Sequence, residues 1–282
     1  MPSFCLTCSV KKEDIDIITA IAYDHETTGT MEEELTDELS KLKLYFTHKS
    51  LAEKTLLFLK DSYFVSDCEI GYIEDQDWNA KWRESLKPVE VAPGFWVSPA
   101  WLEPPVKNRS AWVKIEPKMA FGTGHHESTK LASEAIINNK ELIDGKRLLD
   151  IGTGSGVLCF FADICGSAFT LGVEIDKTCR ENLSENKRVN QSLGMINFLV
   201  ATIDALCKIP QFDIVTMNML YIESVPLIKD IRSIIKKGGH LIWSGLLFSE
   251  RTEIISIASD YGFKLAGELK ENEWWCGTFE LK

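Results

Sequence analysis

From about Leu148 onward, short apolar runs alternate with longer segments in which apolar residues recur at helical spacing. Arg147 to Ile151 is a short apolar run ending in a glycine turn, and Val157 to Ile164 suits a helix. Thr170 to Ile175 reads as a second strand and Lys177 to Asn190 as a helix. Ile196 to Ala201, Phe212 to Met217 and His240 to Ser244 read as further strands. Alternation of this kind predicts a mostly parallel sheet covered by helices on both faces. Phe263 to Leu269 and Trp274 to Leu281 suit an antiparallel hairpin at one edge.

The first 65 or so residues have a different rhythm. Phe4 to Val10 alternates as a strand does, and Ile15 to Ala22 suits a short helix. Leu42, Leu44 and Phe46 alternate with Lys43 and Tyr45, a helix runs from Ser50 to about Lys60, and Glu69 to Glu74 reads as another strand. Glu32, Glu33 and Glu34 read as a solvated face or turn. From Asp75 to Pro117, Trp78, Trp82, Trp96, Trp101 and Trp112 are interspersed with Pro88, Pro93, Pro99, Pro104 and Pro105. That proline density predicts a connector with a short helix at Asp77 to Leu86, its tryptophans pinning it to a domain surface. The expected division is a small α+β domain over 1–65, a Trp/Pro-rich connector over 66–115 and an α/β domain over 116–282.

The chain of 282 residues is 45% hydrophobic and 26% charged, which excludes collagen-like and wholly disordered readings. Its 31 Lys and Arg against 42 Asp and Glu give a formal charge of −11, which argues against binding a nucleic-acid backbone and suits a basic protein partner. No segment approaches the ~20 apolar residues of a membrane helix. There is no charged-then-apolar leader, so a cytoplasmic location is expected. Eight scattered cysteines fit reduced thiols, and the Cys5–Cys8 pair lacks the second ligand pair that zinc needs.

Candidate chemistry concentrates at Asp150-Ile151-Gly152-Thr153-Gly154-Ser155-Gly156, between a predicted strand and a predicted helix. Glycines let the backbone turn sharply and let a ligand approach, and the helix start offers unpaired N–H groups. The dinucleotide pattern GxGxxG fails because Val157 stands at its sixth position, which disfavours a nicotinamide oxidoreductase. GxGxG with an acidic residue two positions earlier resembles the first motif of class I S-adenosylmethionine-dependent methyltransferases. Glu174, 22 positions after Gly152, is placed to accept from both ribose hydroxyls, with Asp176 as the alternative. Asp204 is either an acceptor for an adenine amino group or a solvated loop residue. Asn218 ends the fourth strand, where ligands of open α/β sheets bind. The run Asn218-Met219-Leu220-Tyr221 has no proline pair, which argues against a flat amide or base acceptor. A second glycine segment, Phe121-Gly122-Thr123-Gly124, leads into His125, His126 and Glu127. Neighbouring residues seldom face one metal, so no metal is expected and the segment reads as a loop closing over a cofactor.

The run Glu116-Pro117-Lys118-Met119-Ala120-Phe121-Gly122-Thr123-Gly124-His125-His126-Glu127-Ser128-Thr129 resembles the signature of the ribosomal protein L11 methyltransferase family, approximately D-P-G-x-A-F-G-T-G-x-H-x-T-T. Trp78 to Pro88, Phe95 to Trp101, Asn218-Met219-Leu220 and Glu273-Trp274-Trp275 resemble further family segments in order, covering roughly Trp78 to Phe279. Thr153 stands where Cys is usual, Glu174 for Asp, Lys118 for Gly and Glu127 for Pro.

The resemblance implies a Rossmann-like seven-stranded class I sheet with an antiparallel C-terminal hairpin, plus the small N-terminal domain. It implies S-adenosylmethionine as cofactor, with Thr129 in contact with it, Gly152 against its methionine part and Glu174 on its ribose. Asp150, Gly154 and Asp204 complete the candidate cofactor set. Asn218 would lie near the transferred methyl. Phe121, with Tyr221, is a candidate aromatic wall for a methylated cation. The implied activity is N-methylation of lysine side chains, an α-amino group or both on ribosomal protein L11, by a monomer that touches neither nucleic acid nor membrane. The N-terminal domain would hold the substrate. No general base is evident. Methylation of another protein or a small amine is the alternative left open by Lys118 and Glu127, and a non-catalytic S-adenosylmethionine-binding regulator is the other.

Overall fold

A computed structural model of the chain describes residues 3–62, 65–73, 83, 86–103, 111–118, 122–191 and 195–282. The chain divides into two units, 1–84 and 85–282.

The first unit runs β1 (Ser3–Lys11), α1 (Ile15–Asp24), β2 (Gly29–Glu34), β3 (Leu39–Phe46), α2 (Lys49–Asp61) and β4 (Val65–Ile73). Its antiparallel sheet has the order β2-β3-β1-β4, a split β-α-β arrangement. Leu6, Cys8 and Val10 of β1 and Leu42, Leu44 and Phe46 of β3 point to one face, where they pack with Ile18, Ala22, Ala52 and Leu59 of the helices. Period-two burial in the strands is thus matched to helical burial across the layer. The acidic run is an edge strand, not a turn. Glu34 pairs with Lys12 at 2.7 Å and Glu33 with Lys43, and charge along an edge discourages further strand pairing. Because β4 belongs to this sheet, the boundary falls after residue 84 rather than 65.

In the second unit, the stretch read as a connector contains a three-stranded sheet: β5 (Val89–Ala92), β6 (Phe95–Pro99) and β7 (Trp112–Ile115). The strands are short: β5 lies between Pro88 and Pro93, and β6 ends on Pro99. Val91, Val97, Val113 and Ile115 enter the same core as Leu131 and Ala132 of α3 (Glu127–Asn138). Trp112 donates its indole N–H to Ser98 Oγ at 2.6 Å. The helix expected at 77–86 falls almost wholly outside the described residues.

The main sheet is built from β8 (Arg147–Ile151), β9 (Phe169–Glu174), β10 (Ile196–Val200), β11 (Phe212–Asn218), β12 (Ile235–Leu247), β13 (Phe263–Glu271) and β14 (Trp274–Leu281). Their order is β10-β9-β8-β11-β12-β14-β13, with β14 antiparallel to both neighbours and the rest parallel. α3, α4 (Lys140–Ile143) and α5 (Val157–Ile164) help to bury one face, centred on Leu148, Phe161 and Ile242. After α6 (Cys179–Asn190) and α7 (Tyr221–Ser224), α8 (Ile228–Ile234) and α9 (Arg251–Asp260) close the other face over Leu149, Val215 and Trp243. β12 starts five residues earlier than its apolar pattern indicates. Lys236, Lys237, Gly238 and Gly239 break the pattern where the ladder with β11 shifts register between Phe212 and Ile214. Among the described residues no helix is long and apolar enough to cross a membrane.

The order reverses between β8 and β11, so a crevice opens at their carboxyl ends. Asp150 holds the two strand ends together. It is fully buried, and its oxygens accept from Thr216 Oγ1 of β11 at 2.7 Å and Thr153 Oγ1 of the glycine turn at 2.6 Å. Burial pushes its carboxyl up to about 6, and the two hydroxyls only partly offset that.

On α6, Asn182, Asn186 and Asn190 recur every four residues on one face. Asn190 takes both backbone groups of Lys114, accepting its N–H at 2.8 Å and donating to its carbonyl at 2.7 Å. Asn186 accepts the N–H of Glu116 at 2.7 Å and donates to the carbonyl of Ser155 at 2.9 Å. Asn182 donates to the carbonyl of Glu116 at 2.8 Å. Side-chain amides thus complete the backbone bonding where β7 ends.

Asn186→Ala should destabilise the protein by about 2–4 kcal/mol in urea unfolding, since two buried backbone groups lose their partner at once. Asp150 fixes a pH trend. Between the ordinary 3.8 and about 6 the folded state binds a proton that the unfolded state does not. Stability should therefore fall as pH rises through that window, and Asp150→Asn should flatten the trend. A carboxyl carbon titration by NMR should place the midpoint near the upper value.

Candidate active site

A cavity of about 470 Å³ occupies the crevice, bounded by Gly152 and Gly154, by Glu174 at the end of β9, by Asn218 at the end of β11 and by Gly245 of β12. Gly152 and Gly154 both have positive φ, 67° and 52°, which favours glycine in the turn. A Cβ on Gly152 would lie 3.1 Å from Met219 Sδ, so the space beside the turn depends on its absence.

Glu174 is 9% exposed, and both its oxygens are anchored. Oε2 accepts the N–H of Gly154 at 2.8 Å and Oε1 that of Asp176 at 3.0 Å. Each oxygen keeps a lone pair for a further donor, so the carboxylate is aimed and still able to accept from a vicinal diol. Ile175 beside it is 73% exposed and also lines the cavity.

The opposite wall is the start of α3. His126 caps this helix, with Nδ1 accepting the N–H of Ser128 at 3.2 Å. Glu127 follows in the first turn, and a hydrogen bond from its own backbone N–H holds its carboxyl below the usual range. The tip of the β13–β14 hairpin docks here. Trp274 meets His126 edge to face with centroids 4.6 Å apart, Asn272 donates to Glu127 Oε1 at 3.3 Å, and Lys130 pairs with Glu271 at 3.3 Å.

Asn218 lies between the two walls. Its Nδ2 donates to Thr129 Oγ1 at 3.4 Å, while its Oδ1 is buried and has no partner among the described residues. A buried acceptor of this kind is costly unless a ligand supplies a donor.

Gly152, Gly154, Glu174 and Asn218 are therefore brought to one cavity. Thr129 is fully buried behind Asn218 and is not in the wall; its neighbour Ser128 is. Asp150 sits behind the turn, where it accepts from Thr153, Thr216 and Cys159, so it positions the loop from outside the cavity. Asp204 is exposed in a short helical turn beside Lys208, away from the cavity wall. Phe121 lies outside the described residues. Tyr221 donates its hydroxyl to Glu253 at 2.7 Å and does not line the cavity; among the described residues Trp274 and His126 are aromatic side chains that do. The pattern reading assigned Trp274 to a strand and saw no site in it. Gly245 was missed because a glycine inside an apolar run carries no sign of what it faces. Among the described residues, no group of three His, Cys, Asp or Glu side chains is placed to hold a metal ion.

The cradle beside Gly152, the aimed carboxylate and the orphaned Asn218 Oδ1 all fit a nucleoside bearing an amino-acid tail. A family model described as "Ribosomal protein L11 methyltransferase (PrmA)" matches residues 5–282. A protein of that name from Geotalea uraniireducens is 32% identical over 228 residues, covering 76% of this chain and 70% of the relative. Another, from Pelobacter propionicus, is 27% identical and covers 89% and 88%. The structure of a ribosomal protein L11 methylase from Lactobacillus delbrueckii subsp. bulgaricus superposes with a TM-score of 0.62 at 21% identity, covering 69% of this chain and 98% of that one. That likeness shows the fold. The chain therefore belongs to the ribosomal protein L11 methyltransferase family, with S-adenosylmethionine as its methyl donor.

Proposed function

We propose that the chain transfers methyl groups to amino groups of ribosomal protein L11, at lysine side chains, the α-amino group or both. The observation that carries this reading is the buried, unpartnered Oδ1 of Asn218, an acceptor waiting for an N–H beside the cofactor turn. In this reading Glu174 holds the ribose hydroxyls, Ile175 offers an apolar face to the adenine, and Gly152 and Gly154 let the methionine part approach. Asp150 and Thr129 act from behind, through Thr153 and Asn218. Asp204 stays in its solvated turn, paired with Lys208 and accepting from Thr202 Oγ1.

S-adenosylmethionine supplies a methyl already activated for in-line displacement, so what remains for the protein is alignment. Asn218 Oδ1 accepts one N–H of a neutral amine and leaves the lone pair directed at the methyl. A free lysine has a pKa of about 10.4, so the amine must shed its proton first. Desolvation in the cavity favours the neutral form. The N-terminal unit is proposed to hold the substrate protein, and the enzyme to act as a cytoplasmic monomer without binding nucleic acid. The formal charge of −11 suits a basic substrate.

Intact-mass spectrometry of purified L11, incubated with the enzyme and S-adenosylmethionine, should show increments of one methylene each. Asn218→Ala should slow their appearance roughly a hundredfold, while calorimetry finds cofactor affinity changed by only a few-fold. No increment with the unaltered enzyme would refute L11 as substrate. Removal of residues 1–84 should leave S-adenosylmethionine binding intact and abolish L11 methylation; a truncated protein that still methylates L11 would remove the substrate-holding role.

A further inference from the structure

Among the described residues, the cavity wall carries three carboxylates, Glu174, Asp176 and Glu223, and no Lys or Arg. Two of them are engaged. Glu174 accepts from the backbone of Gly154 and Asp176, and Asp176 accepts the N–H of Thr178 at 2.8 Å. The Glu223 side chain has no hydrogen bond or ion pair among the described residues, and it is exposed at the rim. It sits in α7, the single turn that follows Asn218-Met219-Leu220, where its own N–H donates to the carbonyl of Leu220 at 3.1 Å. Leu220 is 53% exposed although it too lines the cavity. The acceptor side of the mouth thus offers one unpaired carboxylate and one bare aliphatic side chain, five residues or fewer from the buried Asn218 Oδ1.

Electrostatics gives this arrangement a purpose. A sulfonium in the cavity repels an incoming ammonium, and the carboxylate aimed at the ribose is already occupied by donors. An unpaired carboxylate at the mouth adds attraction where an approaching cation first meets the site. We infer that Glu223 is a specificity-determining residue, selecting a protonated alkylamine whose methylene stem lies along Leu220. This rests on the amine-methylating reading above and adds to it the residue that selects the charge. The ammonium gives its proton to solvent at the mouth, and the neutral nitrogen then moves on to Asn218. In the transfer the new N–C bond forms as the S–C bond breaks.

Glu223→Gln should raise KM for L11 about threefold to fivefold, the scale of one exposed ion pair. The effect should appear in KM rather than in kcat, with S-adenosylmethionine affinity unmoved. The slope of kcat/KM against ionic strength should become shallower, and Glu223→Lys should raise KM further. An unchanged KM and salt slope in Glu223→Gln would overturn the inference. A second measurement does not depend on L11. NMR titration of the enzyme saturated with S-adenosylhomocysteine should show preference for Nα-acetyl-lysine methylamide over its norleucine counterpart, lost in Glu223→Gln. Equal binding of both by the unaltered enzyme would refute the role of Glu223 even if L11 is methylated. Preference without L11 methylation would refute only the choice of substrate protein.

Discussion

One buried amide governs how the cofactor side is assembled. Asn186 accepts the N–H of Glu116 and donates to the carbonyl of Ser155, so it ties the exit of β7 to the glycine turn. Ser155 in turn donates its hydroxyl to the carbonyl of Gly122 at 2.7 Å. The two glycine segments, more than thirty residues apart in sequence, are thereby joined through one helix face. A side chain with a donor and an acceptor at fixed separation is needed here. An acid would set its second oxygen against the Ser155 carbonyl, and an apolar residue would leave both groups unpaired.

The same economy of polar groups appears around the turn. Asp150 is held in the interior by hydroxyls from β11 and from the glycine turn, and Glu174 is aimed by two backbone N–H groups. Glu174 has no cationic partner among the described residues, so its charge remains available to what enters the cavity. A positively charged ligand is favoured by such a field without direct ion pairing.

Much of this was legible in the sequence. The second unit's strands announced themselves because parallel strands buried on both faces are continuous apolar runs, as in Arg147–Ile151 and Phe212–Asn218. The cofactor turn was legible because its chemistry is local: glycines at fixed spacing, then a carboxylate one strand later. The small sheet at Val89–Ile115 was hidden by prolines that punctuate its strands rather than forbid them. Asp150 looked like a ligand contact because adjacency in sequence says nothing about which side of a turn a carboxylate faces. Trp274 and Glu223 reach the cavity only through tertiary packing, from a hairpin tip and a single helical turn whose local patterns are ordinary.

The placement of β14 has a consequence for how the molecule comes into being. It is inserted between β12 and β13, and its first residue, Trp274, rests on the helix cap beside the cavity. During synthesis every segment that carries a cofactor-facing group emerges before this strand does. The nascent chain therefore holds an edge at β12 that stays open, and an acceptor wall that stays incomplete, until β14 pairs into place. Completion of the pocket is thus coupled to the pairing of β14 with both β12 and β13, since without it neither the sheet nor the Trp274 side of the wall is in place.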